Sequence, residues 1–247
     1  MSLGFLRALL ITDPIIILAT AAMGTVSLIV SFFDRDGRAQ HRISRQWSRM
    51  LLLIGGVDVR IEGLEKIDPA GSYVFVANHT SFMDTPVVLA HIPVQFRFMA
   101  KKGLFAFPLL GTHLKRAGHL AVVRGDPRAS LRSMEDAARI IRDRGISVLL
   151  FPEGGRSHGQ LGPFKEGAAY IAIKAGVPVV PVGMLGTLAV LPRGSIQVQR
   201  GRVALRIGDP IETAGLTVKD RSALTLVLRE RILELTGQTA PKLQNAR

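Results

Sequence analysis

Residues 78–84 read Asn-His-Thr-Ser-Phe-Met-Asp and place an imidazole and a carboxylate five positions apart, at His79 and Asp84. Five steps rotate through about 500° around a helix, so the two cannot share one face of a regular helix. They meet only if His79 precedes a helix whose first turn holds Asp84. A carboxylate bonded to one ring nitrogen would then fix the tautomer and leave the other nitrogen free as a general base. Ser81-x-x-Asp84 is equally the pattern of a capping box, in which Asp84 would be structural and His79 an ordinary loop residue. A second concentration lies at residues 152–157, Pro-Glu-Gly-Gly-Arg-Ser. Gly154 and Gly155 let backbone N–H groups approach an anion, and Arg156 offers a planar fork for phosphate. Met alone, the same letters are plain turn chemistry. Ser157 lacks a Gly-x-Ser-x-Gly elbow, which argues against a serine triad with His79 and Asp84. The chain contains no cysteine, which excludes a thiol nucleophile, disulfides and thiolate metal sites.

Both segments need strands to deliver them. Short apolar, β-rich runs fall at 57–62, 73–77, 96–100, 119–123, 147–151 and 177–182, with helical patterns at 85–89, 130–144 and 165–175. That alternation predicts an α/β fold with a mostly parallel central sheet flanked by helices, with ligands at the carboxyl ends of strands. His79 follows one such run and Glu153 another. Residues 196–200 and 202–207 flank Gly201 and suggest a closing hairpin. A last amphipathic helix over 220–235 stops at Gly237.

The amino-terminal quarter is different in kind. Residues 14–33 are an uncharged run of twenty, long enough to match a hydrocarbon core of about 30 Å. Asp13 and the apolar sequence beyond Ala21 argue against a cleaved signal peptide. In 37–54, Arg38, Arg42, Arg45 and Arg49 form one helical stripe, with Ile43, Trp47, Met50, Leu51 and Ile54 opposite. Such a helix suits the surface of an anionic membrane. The expected organisation is a two-helix membrane-anchoring motif at 1–56, an α/β domain at 57–237 and a flexible tail at 238–247. Basic residues after the apolar run place the following domain in the cytoplasm by the positive-inside rule. With 32 Lys+Arg against 19 Asp+Glu the net charge of the 247-residue chain is +13, which calls for an anionic partner. Aromatics make up only 6%, too few for the stacking platforms of a single-strand nucleic-acid binder.

Taken together these blocks resemble the glycerolipid acyltransferase family, in particular its bacterial lysophosphatidic acid acyltransferases. Asn78, His79 and Asp84 match its Asn-His-x4-Asp block. Lys101, Phe107, Pro108, Gly111, Gly118 and Arg124 match the second. Residues 151–157 match Phe-Pro-Glu-Gly-Thr-Arg-Ser with Gly155 in place of the usual Thr, Lys165 and Gly167 match a following Phe-Lys-x-Gly, and 177–181 the fourth block. The resemblance covers about residues 57–210.

It implies transfer of an acyl group from a thioester, on coenzyme A or acyl carrier protein, to a lysophospholipid hydroxyl in phospholipid biosynthesis. His79 would be the base, oriented by Asp84, with no metal and no resident cofactor. Lys101, Arg124, Glu153, Gly154 and Arg156 would hold the acceptor's phosphate, Glu153 by orienting an arginine or the glycerol hydroxyl. The apolar run 104–110 would face the acyl chain or membrane. Implied partners are the lysophospholipid, the thioester donor, an anionic membrane surface and acyl carrier protein, with no nucleic acid. Alternatives are another acceptor, such as lyso-ornithine lipid or glycerol 3-phosphate, or a non-catalytic basic module binding membranes or nucleic acid.

Overall fold

The structure is a computed structural model that describes residues 6–123 and 125–239. Arg124 and residues 240–247, most of the expected tail, lie outside the described residues. Gln238, assigned to that tail, is tied down: its side chain accepts from the Leu161 N–H at 2.8 Å and donates to the Gly159 carbonyl at 3.1 Å.

Seven strands form one sheet in the order β1-β7-β6-β2-β5-β3-β4. They are β1 (Val57–Glu62), β2 (Val74–Ala77), β3 (Phe96–Lys101), β4 (Leu120–Val122), β5 (Ser147–Leu150), β6 (Val179–Leu185) and β7 (Gly201–Ile207). All pairings are parallel except β6 with β7. β2 and β5 are buried on both faces, as their unbroken apolar runs require. On one face Phe75, Phe96, Leu149 and Val180 pack with helix α3 (Asp84–His91) and with Leu52 of α2 (Arg38–Gly55). On the other, Val74, Val76, Val148 and Val179 pack with α5 (Pro127–Arg144), α6 (Gly167–Ala175) and α8 (Arg221–Thr236). The short helices α4 (Leu110–Arg116) and α7 (Thr187–Val190) complete the fold.

The expected hairpin about Gly201 is not formed. Residues 196–200 carry no strand, and Gly201 begins β7 paired to Val57. Both edges of β7 are occupied, by β1 in parallel and β6 antiparallel, so no edge remains for a hairpin partner.

The apolar helix α1 runs Ala8–Val30, longer at its start than the uncharged run. Its first turns, Ala8–Thr12, are π-helical, a widening that lets the helix pass Pro14. At about 1.5 Å per residue it reaches about 34 Å, enough to cross a hydrocarbon core. Of its most apolar stretch only 6% is buried. Helix α2 packs on both α1 and α3. Two arginines of the expected stripe reach protein carbonyls: Arg45 Nη1 donates to the Pro93 carbonyl at 3.0 Å, and Arg49 Nε, on a side chain that stays exposed, to the Ala90 carbonyl at 3.4 Å. Carbonyls at the end of α3 lack helical partners and carry the negative end of its dipole, so they attract these cations. Arg38 and Arg42 stay exposed. The Trp47 indole N–H donates to the Thr20 hydroxyl at 3.0 Å, which turns the aromatic toward α1. The stripe that α2 buries is polar at its start, Gln40, His41 and Ser48, and ends on Leu52 and Gly55. Ser44 and Ser48 satisfy themselves by donating to carbonyls one turn back, at 2.9 and 2.8 Å.

This interface encloses Arg97, 2% exposed, which donates to the Asp36 and Phe96 carbonyls and so ties the α1–α2 turn to β3. Burial pushes His41 down to about 3, helped by Arg97 and Arg45, and holds His119 well below its usual value, helped by Arg97. His119 Nδ1 accepts the Phe98 N–H at 3.0 Å, a role only the neutral ring can fill. The unfolded chain binds protons near pH 6.5 that the folded chain refuses. The stability these histidines contribute is therefore complete above about pH 6.5 and is lost as pH falls toward 3, by up to about 1.4 kcal/mol per unit for each. Unfolding temperatures in detergent should drop between about pH 7.5 and 5, less steeply in His41→Gln. An equally steep drop in that variant would exclude His41 as a contributor.

Candidate active site

β2, β5 and β3 lie side by side, and their carboxyl ends deliver three segments to one edge of the sheet. Asn78, just past β2, clamps its loop to β6: its side chain accepts the Met184 N–H at 2.7 Å and donates to the Met184 carbonyl at 2.9 Å. His79 follows, and Asp84 opens α3, as the spacing requires. His79 Nδ1 lies 2.7 Å from Asp84 Oδ2. The same oxygen accepts the N–H groups of Thr80 at 2.7 Å and Ser81 at 2.9 Å. A neutral ring that donates from Nδ1 to this oxygen would leave Nε2 bare. Asp84 is wholly buried, whereas the His79 side chain keeps 17% of its exposure. The ring is held flat by Phe151, stacked at 4.1 Å and 15°.

The capping-box reading is half present. Asp84 reaches back to the Ser81 N–H, but the Ser81 hydroxyl donates to the Leu191 carbonyl at 2.7 Å. Structural and catalytic roles thus share one oxygen. Thr80 completes the clamp, its hydroxyl 3.0 Å from that of Thr187 on α7.

From β5 the chain enters residues 151–157. The Glu153 oxygens accept the His79 N–H at 2.8 Å and the Gly162 N–H at 3.0 Å. Each oxygen takes one backbone amide, so Glu153 braces the loop under the histidine, and among the described residues no arginine pairs with it. Gly154 sits at φ +73°, where a side chain would be strained, and a Cβ there would come within 3.1 Å of Lys165 Nζ. A Cβ on Gly155 would meet nothing within 4 Å, so the missing Thr leaves open space. The Arg156 guanidinium lies over the Phe82 ring at 3.6 Å, and its carbonyl accepts from Arg193 Nη1 at 2.9 Å. Ser157 meets His79 through the main chain, donating its N–H to the His79 carbonyl at 2.7 Å. Its hydroxyl is buried without a partner among the described residues. Lys101 ends β3 and is exposed, one strand from β5. In the run 104–110, Phe105 is buried while Phe107 and Leu109 are exposed.

The edge thus brings together an imidazole bonded to a buried carboxylate and two cations, Lys101 and Arg156. It can take a proton from a hydroxyl and hold an anion beside it. Sequence reasoning missed Phe151 and Phe82 as supports, Lys165 beside Gly154, and Arg193. Phe151 and Lys165 stood within motifs already read, but Phe82 and Arg193 left no signal, because each acts through a loop distant in sequence.

The acyltransferase family model matches residues 58–185. A chloroplastic 1-acyl-sn-glycerol-3-phosphate acyltransferase of Brassica napus is 36% identical over 186 residues, 74% of this chain and 53% of that protein. The human 1-acyl-sn-glycerol-3-phosphate acyltransferase alpha is 30% identical over 190 residues, 75% of this chain and 67% of that one. The chain therefore spans about half the length of the plant relatives it matches. Among solved structures, the 1-acyl-sn-glycerophosphate (LPA) acyltransferase PlsC from Thermotoga maritima superimposes with a TM-score of 0.75 at 26% identity, covering 96% of this chain and 98% of that one.

Proposed function

Because the chain belongs to the glycerolipid acyltransferase family, we propose that it acylates the free hydroxyl of lysophosphatidic acid from an acyl thioester, giving phosphatidic acid. The observation that carries this reading is the bond from His79 Nδ1 to buried Asp84, which leaves Nε2 bare at an edge shared with Arg156. Nε2 takes the proton of the acceptor hydroxyl as its oxygen bonds to the thioester carbonyl carbon. Collapse of the tetrahedral adduct breaks the C–S bond, and the departing thiolate recovers the proton from the imidazolium. Asp84 stabilises that cation while it lasts. Lys101 and Arg156 hold the acceptor's phosphate, Arg156 by a bidentate pair. The proposal extends to Arg124, to acyl-CoA or acyl carrier protein as donor, and to residence at a bacterial inner membrane. There α1 would enter the bilayer and the α/β domain would face the cytoplasm.

The test presents purified full-length protein with labelled acyl groups on both carriers and with three acceptors: lysophosphatidic acid, glycerol 3-phosphate and lyso-ornithine lipid. Labelled phosphatidic acid from the first is the expected product. Equal transfer whether or not the acceptor bears phosphate would remove Lys101 and Arg156 from the site, and no transfer to any would sink the activity.

A further inference from the structure

We infer that Phe82 is a positioning residue for the acceptor's phosphate, acting through Arg156, and that it makes base and anion anchor one rigid unit. The inference rests on the proposed transfer to a phosphate-bearing acceptor. Phe82 is 60% exposed, an unusual place for a large apolar ring, and its face is covered by the Arg156 guanidinium at 3.6 Å. Among the described residues no acidic group pairs with Arg156, so its charge is free for a ligand. The contact is made by the guanidinium carbon, and no acceptor among the described residues engages an Arg156 side-chain N–H, so its donors stay available for a bidentate anion. Stacking therefore fixes the fork without consuming it.

What holds Phe82 is itself fixed. The ring rises from the segment between His79 and Asp84, where Thr80 is bound to Thr187, Ser81 to Leu191, and Met83 is 1% exposed. The far side of the arrangement is fixed too, since Arg193 holds the Arg156 carbonyl and Ser157 donates to that of His79. The base and the ring that supports the phosphate fork are thus mounted on the same short loop, and the fork's own loop is bonded to it, which sets the span between the acceptor's reacting hydroxyl and its phosphate. A long exposed arginine without this support would lose rotamer freedom on binding each substrate molecule, and that cost would appear in KM.

The test compares full-length Phe82→Ala, Phe82→Leu and Phe82→Tyr in detergent–lysophosphatidic acid micelles, and also measures the affinity of each for glycerol 3-phosphate by thermal shift. Alanine and leucine are expected to raise KM for lysophosphatidic acid by about three- to tenfold, with a smaller change in kcat and a matching loss of glycerol 3-phosphate affinity. Leucine keeps apolar bulk but has no quadrupole, whereas tyrosine keeps the ring and should restore the wild-type value. Unchanged KM and affinity in the alanine and leucine variants would overturn the inference. So would an equal rise in KM with a phosphate-free monoacylglycerol. If the wild type transfers no acyl group, the activity proposal fails alone, and the glycerol 3-phosphate comparison still decides the role of Phe82.

Discussion

His79→Ala is expected to lower kcat for acyl transfer by about 10²- to 10⁴-fold, the usual range for loss of a positioned base. The loss should come without unfolding. The backbone bonds of His79 to Glu153 and Ser157 do not involve the ring, and Asp84 Oδ2 keeps its two amide donors from Thr80 and Ser81. The ring itself contributes only its bond to Asp84 and its stacking on Phe151. Initial rates with saturating donor, set beside thermal unfolding in the same detergent, separate the two effects. A shift of no more than about 4 °C would mark an intact fold. A rate within threefold of wild type would remove His79 as the base.

Asp84 should behave differently, because its oxygen serves the fold as well as the chemistry. Asp84→Ala leaves the Thr80 and Ser81 N–H groups and the imidazole N–H without an acceptor in a site with no solvent exposure. Unpaired buried donors cost about 1–3 kcal/mol each, so a loss of at least about 3 kcal/mol is expected. Asp84→Asn keeps an acceptor oxygen and should fold. It removes the negative charge opposite the imidazolium, and kcat should fall by at least about 10²-fold. The decisive comparison is between these variants: asparagine loses rate but keeps most of its stability, and alanine loses both. An alanine variant as stable as wild type would exclude the structural role, and a fully active asparagine variant the electrostatic one.

Much of this site was legible in the sequence. A five-residue spacing admits one solution, histidine before a helix and aspartate in its first turn, because helical geometry leaves no other way for the two to meet. Short apolar, β-rich runs likewise located six strands within two or three residues at their ends. Glu153 was read only as orienting an arginine or the glycerol hydroxyl, and the structure adds a bracing role. The backbone amides that claim it, of His79 and Gly162, are invisible without coordinates. The arginine stripe of α2 was legible only in part. Helical periodicity tells which residues share a face, and only packing tells what that face meets, here carbonyls at the end of α3 as well as solvent.

By itself the sequence determined the local facts: an apolar helix ahead of an α/β domain, a basic excess of +13, and the residue types that follow each strand. Those follow from periodicity, charge and chain geometry, which act over a few residues. The tertiary structure alone decided that β2, β5 and β3 are neighbours, so that His79, Arg156 and Lys101 share one edge, and that β7 joins β1 and β6 instead of forming a hairpin. Strand order is settled by how the whole set of apolar faces is buried at once, and no window of sequence carries that sum.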